Sequence, residues 1–315
     1  MMVEPFKAGG LVAEHNSKVR GFIPVANTDL AMPATLIHGV RPGKTVVITG
    51  GTHGGEYPGV ECAIRLAQRL QPEKISGCVA IVHPVNTTAF QARMQYYGPL
   101  DGKNLNRVFP GKALGTVSER IAYTISTELF AQADFYMDLH GGDIHEELVP
   151  FALYPSAAHE DVVKVSREAA ERVGVSYVVG SASTTGTFGS LAARGVPGIL
   201  IEIGQCGRWS EEEVAQYIRG VDNVLRRLGV LDGTCQRFGP VTFLEKMNGV
   251  SAGQSGCWYS HVKPGDLVSG GQKIGEIRDY FGELLGEYFA PVAGTVLYAI
   301  TSLAISAGDP LAAIG

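Results

Sequence analysis

The decapeptide GGTHGGEYPG, residues 50–59, sets an imidazole and a carboxylate three residues apart among five glycines, directly after the apolar run KTVVIT. Glycine at this density marks a backbone that bends sharply or passes close to another group. A phosphate cradle would require G-x-x-x-x-G-K-[ST], and no Lys-Ser/Thr follows. A dinucleotide loop would require G-x-G-x-x-G, which matches imperfectly and leaves His53 and Glu56 without a role. A metal site would use both side chains. Taken alone, H-x-x-E is equally what an ordinary turn would show.

Two further segments add to the pattern. FYMDLHGGD ends an apolar run in His140, and GILIEIGQCG carries Glu202 at the close of another. Two imidazoles and one carboxylate are the donor set of a catalytic zinc shell that keeps a position for water. A fourth group, Glu202, then suits the general base that takes a proton from that water. DGKNLNRVFPG, residues 101–111, brings Asn104, Asn106 and Arg107 together in a polar, glycine-bounded stretch. An arginine there can hold a carboxylate by two parallel hydrogen bonds, which lysine cannot imitate; in a plain turn it would be a solvated charge.

Other residues compete. His145 and Asp143 follow His140 and could replace it, but His140 ends the strand directly. His83, beside a proline, reads as a structural histidine, and Cys206 as a passive small residue. Asp138, two residues before His140, faces the same side of a strand. There it either orients a ligand histidine or lines the crevice.

These groups need a scaffold that delivers them to one edge. KTVVITG, CVAIVHPV, FYMDLH and GILIEIG read as buried strands. GVECAIRLAQRL, SERIAYTISTELFAQA, EDVVKVSREAAERVG and SEEEVAQYIRGVDNVLRRLG show helical periodicity, the last opening on Ser210 with acids and closing on arginines and Gly229. Their alternation predicts an α/β layered domain over residues 1–234, with 1–43 a β- and loop-rich lead-in of open placement. Residues 235–315, short β-like runs broken by Gly, Pro and Asp, predict a smaller all-β domain. Open α/β sheets bind ligands at the carboxyl ends of their strands, where these motifs fall.

Bulk properties narrow the partners. The 315 residues are 45% hydrophobic and 18% charged with a net charge of −5, and no basic run is present. Nucleic acid and anionic membrane are thereby disfavoured. Five scattered cysteines without C-x-x-C fit reduced thiols. With neither a secretory signal nor an apolar span, the expected compartment is the cytoplasm.

In order, GGTHGGEYPG, DGKNLNRVFPG, DLHGGD and IEIGQCG resemble the succinylglutamate desuccinylase/aspartoacylase family, over nearly the whole chain. Those enzymes are zinc-dependent amidohydrolases related to the zinc carboxypeptidases. The resemblance implies a zinc-carboxypeptidase-like mixed sheet flanked by helices. It implies one Zn2+ per chain held by His53, Glu56 and His140, with Glu202 as the base. It places Asn106 and Arg107 near the substrate carboxylate, and matches Arg93, in NTTAFQARMQYYGPLDG, to a second substrate-binding arginine. TFGSLAARGVPG, before Glu202, departs from the aspartoacylases by lacking an arginine in register, which argues against a dicarboxylic amino-acid product. In this the chain is similar to bacterial members that include deacetylases of diaminobutyrate derivatives. VKPGDLVSGGQKIGEI and APVAGTVL resemble biotinyl and lipoyl half-barrels, but RDYFGELLGEY between them has no lysine to modify. A wall of the active site is expected there instead.

The expected activity is hydrolysis of the amide of an N-acyl amino acid or related small N-acyl amine. A zinc metallocarboxypeptidase acting on short peptides would use the same residues. A non-catalytic binding or scaffold protein could keep the fold. The sequence sets no oligomeric state.

Overall fold

The structure, a computed structural model, describes residues 4–315. Its centre is a nine-stranded mixed sheet. From one edge to the other the strands are Thr242–Leu244, Tyr177–Ser181, Phe151–Pro155, Gly198–Glu202, Phe135–His140, Arg41–Gly50, Ser76–Val82, Ala31–His38 and Ser17–Pro24. The four strands Gly198–Glu202, Phe135–His140, Arg41–Gly50 and Ser76–Val82 run parallel. Their carboxyl ends therefore share one edge. The lead-in takes a definite place: Ala31–His38 and Ser17–Pro24 extend the sheet antiparallel beyond Ser76–Val82.

Helices cover both faces: α1 (Tyr57–Arg69), α2 (Thr87–Ala92), α3 (Val117–Glu128), α4 (Glu160–Ala170), α5 (Gly186–Ala192) and α6 (Glu211–Arg227). Side chains alternate along each strand. Val46, Ile48, Met137, Ile199 and Ile201 enter one core with residues of α1, α4 and α6, while Val47, Tyr136 and Leu200 enter the other with residues of α3 and α5. Burial on both faces is why these strands read as continuous apolar runs. The Ser210 hydroxyl accepts from the Glu213 backbone N–H at 3.2 Å at the start of α6, and Arg226 and Arg227 close that helix.

One strand beyond residue 234, Thr242–Leu244, belongs to the large sheet through parallel pairing with Tyr177–Ser181. The following residues form an antiparallel sheet of four strands and supply four strands of a second, five-stranded one. Glu146–Leu148, from the loop after His140, pairs with Gly294–Ile300 of this β-rich region and ties it to the carboxyl edge. Among the described residues, no helix is long and apolar enough to cross a membrane.

The first turn of α1 presses onto the strand that ends in His140. A Cβ on Gly59 would meet the carbonyl oxygen of Leu139 at 2.5 Å, a backbone atom that cannot rotate away. Gly59→Ala should therefore shift α1 and cost about 1–3 kcal/mol in urea denaturation, with weaker retention of any ion held between His53 and His140. Wild-type stability in this variant would remove the packing argument.

Candidate functional site

Sheet register brings the motifs together. Glu202 is the Cα partner of His140 on the neighbouring parallel strand, and Gly50 is level with Leu139. The chain leaving Gly50 turns at Gly51, where φ is +77°, and delivers His53 and Glu56 just before α1. Ligand atoms of His53, Glu56 and His140 all lie within 4.8 Å of one another. Each of the three residues is buried, with at most 7% exposed.

Hydrogen-bond accounting fixes which nitrogens face inward. Asn104 Oδ1 accepts the Asn106 backbone N–H at 2.9 Å and also lies 3.1 Å from His53 Nε2, so that nitrogen is the donor. His140 Nε2 lies 2.9 Å from Asp138 Oδ2 and likewise donates. Both Nδ1 atoms thus turn to Glu56: that of His53 is 2.7 Å from Oε1 and that of His140 is 2.9 Å from Oε2. Yet Glu56 Oε2, fully buried, makes no hydrogen bond. Its contact with His140 has ion-pair distance without hydrogen-bond direction. Burial alone would raise the Glu56 pKa, but His140 and His53 hold it at about 2. Burial would lower that of His140, but Asp138 and Glu56 hold it well above the usual imidazole range. A carboxylate and two imidazole nitrogens aimed at one point, with an oxygen left unsatisfied, fit a divalent cation.

The ring of His140 is oriented from behind. Asp138, fully buried, accepts the Thr187 hydroxyl at 2.6 Å on Oδ2 and the Thr49 hydroxyl at 2.8 Å on Oδ1. These contacts fix the carboxylate that receives His140 Nε2–H. The Tyr217 hydroxyl from α6 donates to the His140 carbonyl.

A cavity of about 610 Å³ opens over this group, within the size range of small-ligand sites. His53, Glu56, His140, Glu202, Asn106 and Arg107 all line it. Asn106 Oδ1 is taken by the Thr187 N–H at 2.9 Å, which leaves its amide nitrogen for a ligand. Burial, reinforced by Glu56, Glu146 and Asp138, pushes the Glu202 pKa well above the carboxylate range against the pull of His140.

Arg93 is not brought into this cavity. It ends α2 in a left-handed turn with φ +54°, is exposed, and lines a neighbouring depression with Tyr57, Phe90 and Trp209. His145 is exposed, and Asp143 accepts the backbone N–H groups of Tyr96 and Ile144, so neither joins the three. His83 lies 3.2 Å from the Thr35 hydroxyl as a structural residue would. Sequence reasoning missed Glu146, Tyr96 and Tyr298, which line the cavity. Only the nearness of Glu146 to His140 offered a signal.

Residues 42–228 match the succinylglutamate desuccinylase/aspartoacylase catalytic domain. The chain belongs to that family. As a member of the succinylglutamate desuccinylase/aspartoacylase family it is a hydrolase of N-acyl amide bonds. It is 30% identical over 305 residues to the N-alpha-acetyl-L-2,4-diaminobutyric acid deacetylase of Halomonas elongata, covering 93% of this chain and 89% of the relative. Two solved structures superpose at a TM-score of 0.86: the product-bound ectoine utilization protein EutE (DoeB) of Ruegeria pomeroyi and a succinylglutamate desuccinylase from Silicibacter. The first is 26% identical, covering 100% of this chain and 98% of its own. The second is 27% identical, covering 100% and 99%.

Burial pushes the Glu146 carboxyl up to about 7, with Glu56 and Asp143 adding to the shift and the Tyr96 hydroxyl opposing it. The folded protein therefore keeps this proton at pH values where the unfolded chain has released it. The stabilisation is fully present below about 4.5 and is lost as pH rises through about 7. Between pH 5 and 8, metal-free Glu146→Gln should lose less stability than wild type, by on the order of 1–3 kcal/mol in paired urea titrations. Parallel losses would contradict the burial argument.

Proposed function

We propose that the chain is a zinc-dependent deacylase that hydrolyses the amide of an N-acetylated amino acid. The match to the Halomonas elongata deacetylase makes N-acetyl-2,4-diaminobutyrate its first candidate substrate. The observation that carries the reading is the convergence of two imidazole Nδ1 atoms on Glu56, whose buried Oε2 lacks a hydrogen bond, with Glu202 in register beside them. His53, Glu56 and His140 would hold the ion. Zinc, when bound, supplies Lewis acidity to water and to the acyl carbonyl, and a positive charge that draws the Glu202 pKa back down.

The chain's own groups do the rest. Arg107 and the free amide nitrogen of Asn106 hold the substrate carboxylate, so the acyl group lies toward the His–Glu–His cluster. Glu202 takes the proton of the attacking water at a carboxylate oxygen. It then returns that proton to the departing nitrogen, so that a neutral amine leaves and the acyl group departs as a carboxylic acid. Burial favours the protonated form of Glu202, which suits the second transfer. Met247, Ser251, Tyr298 and Pro310 of the β-rich region help to close the cavity and limit bulk water.

Glu202→Gln should retain close to one zinc per chain, read by elemental analysis, while kcat on N-acetyl-2,4-diaminobutyrate falls about 10²–10⁴-fold. Full turnover by this variant would refute the assignment of the base. Asp138→Asn should weaken zinc binding about 10–100-fold in chelator competition, because it frees the ring of His140. Unchanged affinity would show that Asp138 does not orient the ligand. A panel of N-acetyl amino acids against dipeptides separates deacylase from carboxypeptidase, the latter being supported if dipeptides turn over faster.

A further inference from the structure

Glu146 is the ionisable carboxylate of the cavity to which the reaction above gives no task. Its backbone is pinned: the N–H donates to the Asp143 carbonyl at 3.0 Å, and the carbonyl accepts the Cys206 N–H at 2.9 Å. Its Cα pairs in register with Ile300. The side chain is held as firmly. Oε2 accepts the Tyr96 hydroxyl at 2.7 Å. Tyr96 in turn has φ +47°, a left-handed conformation that residues with side chains rarely adopt. Its backbone N–H donates to Asp143 Oδ2 at 2.8 Å, and its ring stands edge-on to His53 at 5.7 Å.

This arrangement fixes a carboxylate at the cavity wall and leaves it unpaired. Among the described residues, no hydrogen bond reaches Glu146 Oε1, and no lysine or arginine forms an ion pair with the side chain. A desolvated carboxylate without a cation is unfavourable, and its raised proton affinity reflects that. Arg107 lines the same cavity. Besides the His–Glu–His cluster and Glu202, then, the cavity offers one positive and one negative contact for a ligand. A carboxylate pairs with the first, and a cationic group with the second.

We infer that Glu146, positioned by Tyr96, is the subsite for an ammonium group on the substrate and selects N-acyl diamino acids over neutral and acidic ones. The inference rests on the deacylase reading and adds the residue that sets its specificity. A charge-assisted hydrogen bond to a half-buried carboxylate is lost when the ammonium is removed, and the carboxylate is then left unpaired. Glu146 does not touch the scissile amide in this scheme, so its contribution falls on substrate binding.

The test compares Nα-acetyl-2,4-diaminobutyrate with Nα-acetyl-2-aminobutyrate, which has the same carbon skeleton without the ammonium, and with N-acetylaspartate. Zinc-loaded wild type should favour the first over the second by about 10- to 100-fold in kcat/KM. Glu146→Gln should bring that ratio close to one, chiefly through KM for the cationic substrate. Tyr96→Phe should fall between, and Glu146→Lys should shift preference toward N-acetylaspartate. Calorimetry supplies a readout without turnover: 2,4-diaminobutyrate should bind Glu146→Gln about 10-fold or more weakly than wild type, while 2-aminobutyrate does not distinguish the two. Circular dichroism verifies that each variant is folded.

A preserved ratio in Glu146→Gln, or equal losses in kcat on both substrates, overturns the subsite. Equal losses in kcat would make Glu146 part of the reaction itself. Wild type that hydrolyses the panel without preference sinks the subsite and leaves the deacylase reading intact. Wild type that hydrolyses none of the three sinks the deacylase reading, and the calorimetric comparison then decides whether an ammonium site exists.

Discussion

Two imidazole nitrogens without protons and one carboxylate cannot be packed together in a protein interior unless something positive lies among them. That constraint organises this molecule. The donors behind the ring of each histidine are settled by Asn104 and Asp138, so both Nδ1 atoms must face Glu56. Without an ion the cluster is balanced by protons, which is why the His140 pKa rises and that of Glu56 falls. A divalent ion would replace those protons, making binding strongest where the histidines are neutral. The network of Thr49, Thr187 and Asp138 holds the His140 ring in place, and Asn104 that of His53.

The parallel strands convert this local requirement into a fold requirement. Parallel pairing forces Gly50, His140 and Glu202 to one edge, and the Glu202–His140 register sets the Glu202 carboxyl beside the cluster without any loop contact. The glycines of the first motif serve approach as much as bending. Gly55 leaves room for Asp143, and Gly59 lets α1 rest against the Leu139 carbonyl. A larger residue at either position would push the His53–Glu56 segment away from the strand that carries its partner.

Much of this was legible in the sequence because the relevant signals are local. An apolar run ending in His or Glu announces both a buried strand and a residue at its carboxyl end, as with His140 and Glu202. Acid-first, arginine-last patterning marked α6. The two short helices α2 and α5 left weaker signals: each spans fewer than two full turns, and α5 is glycine-rich. The strands Phe151–Pro155 and Tyr177–Ser181 lie between recognisable helices and carry no motif. Arg93 illustrates the opposite error. Its place in the chain suggested a ligand-facing arginine, but it sits at the left-handed end of α2 and lines another depression. Glu146 stayed hidden because its position depends on pairing with Gly294–Ile300, about 150 residues later in the chain.

That long-range pairing divides the labour of the site. His140 and Glu202 end strands of the central sheet, and His53 and Glu56 follow a third in the tight turn before α1, where register and close packing tolerate little change. Glu146, Tyr96 and Tyr298 stand on the loop after His140, the loop after α2 and the β-rich region. In the mechanism proposed above the cluster and Glu202 carry the bond cleavage, whereas Glu146, Tyr96 and Tyr298 face the rest of the substrate. A carboxylate placed on the second set can alter which amine is accepted without disturbing the first. On that inference the charge pattern of this wall, rather than the composition of the cluster, is the physical variable that would separate substrate classes on this scaffold.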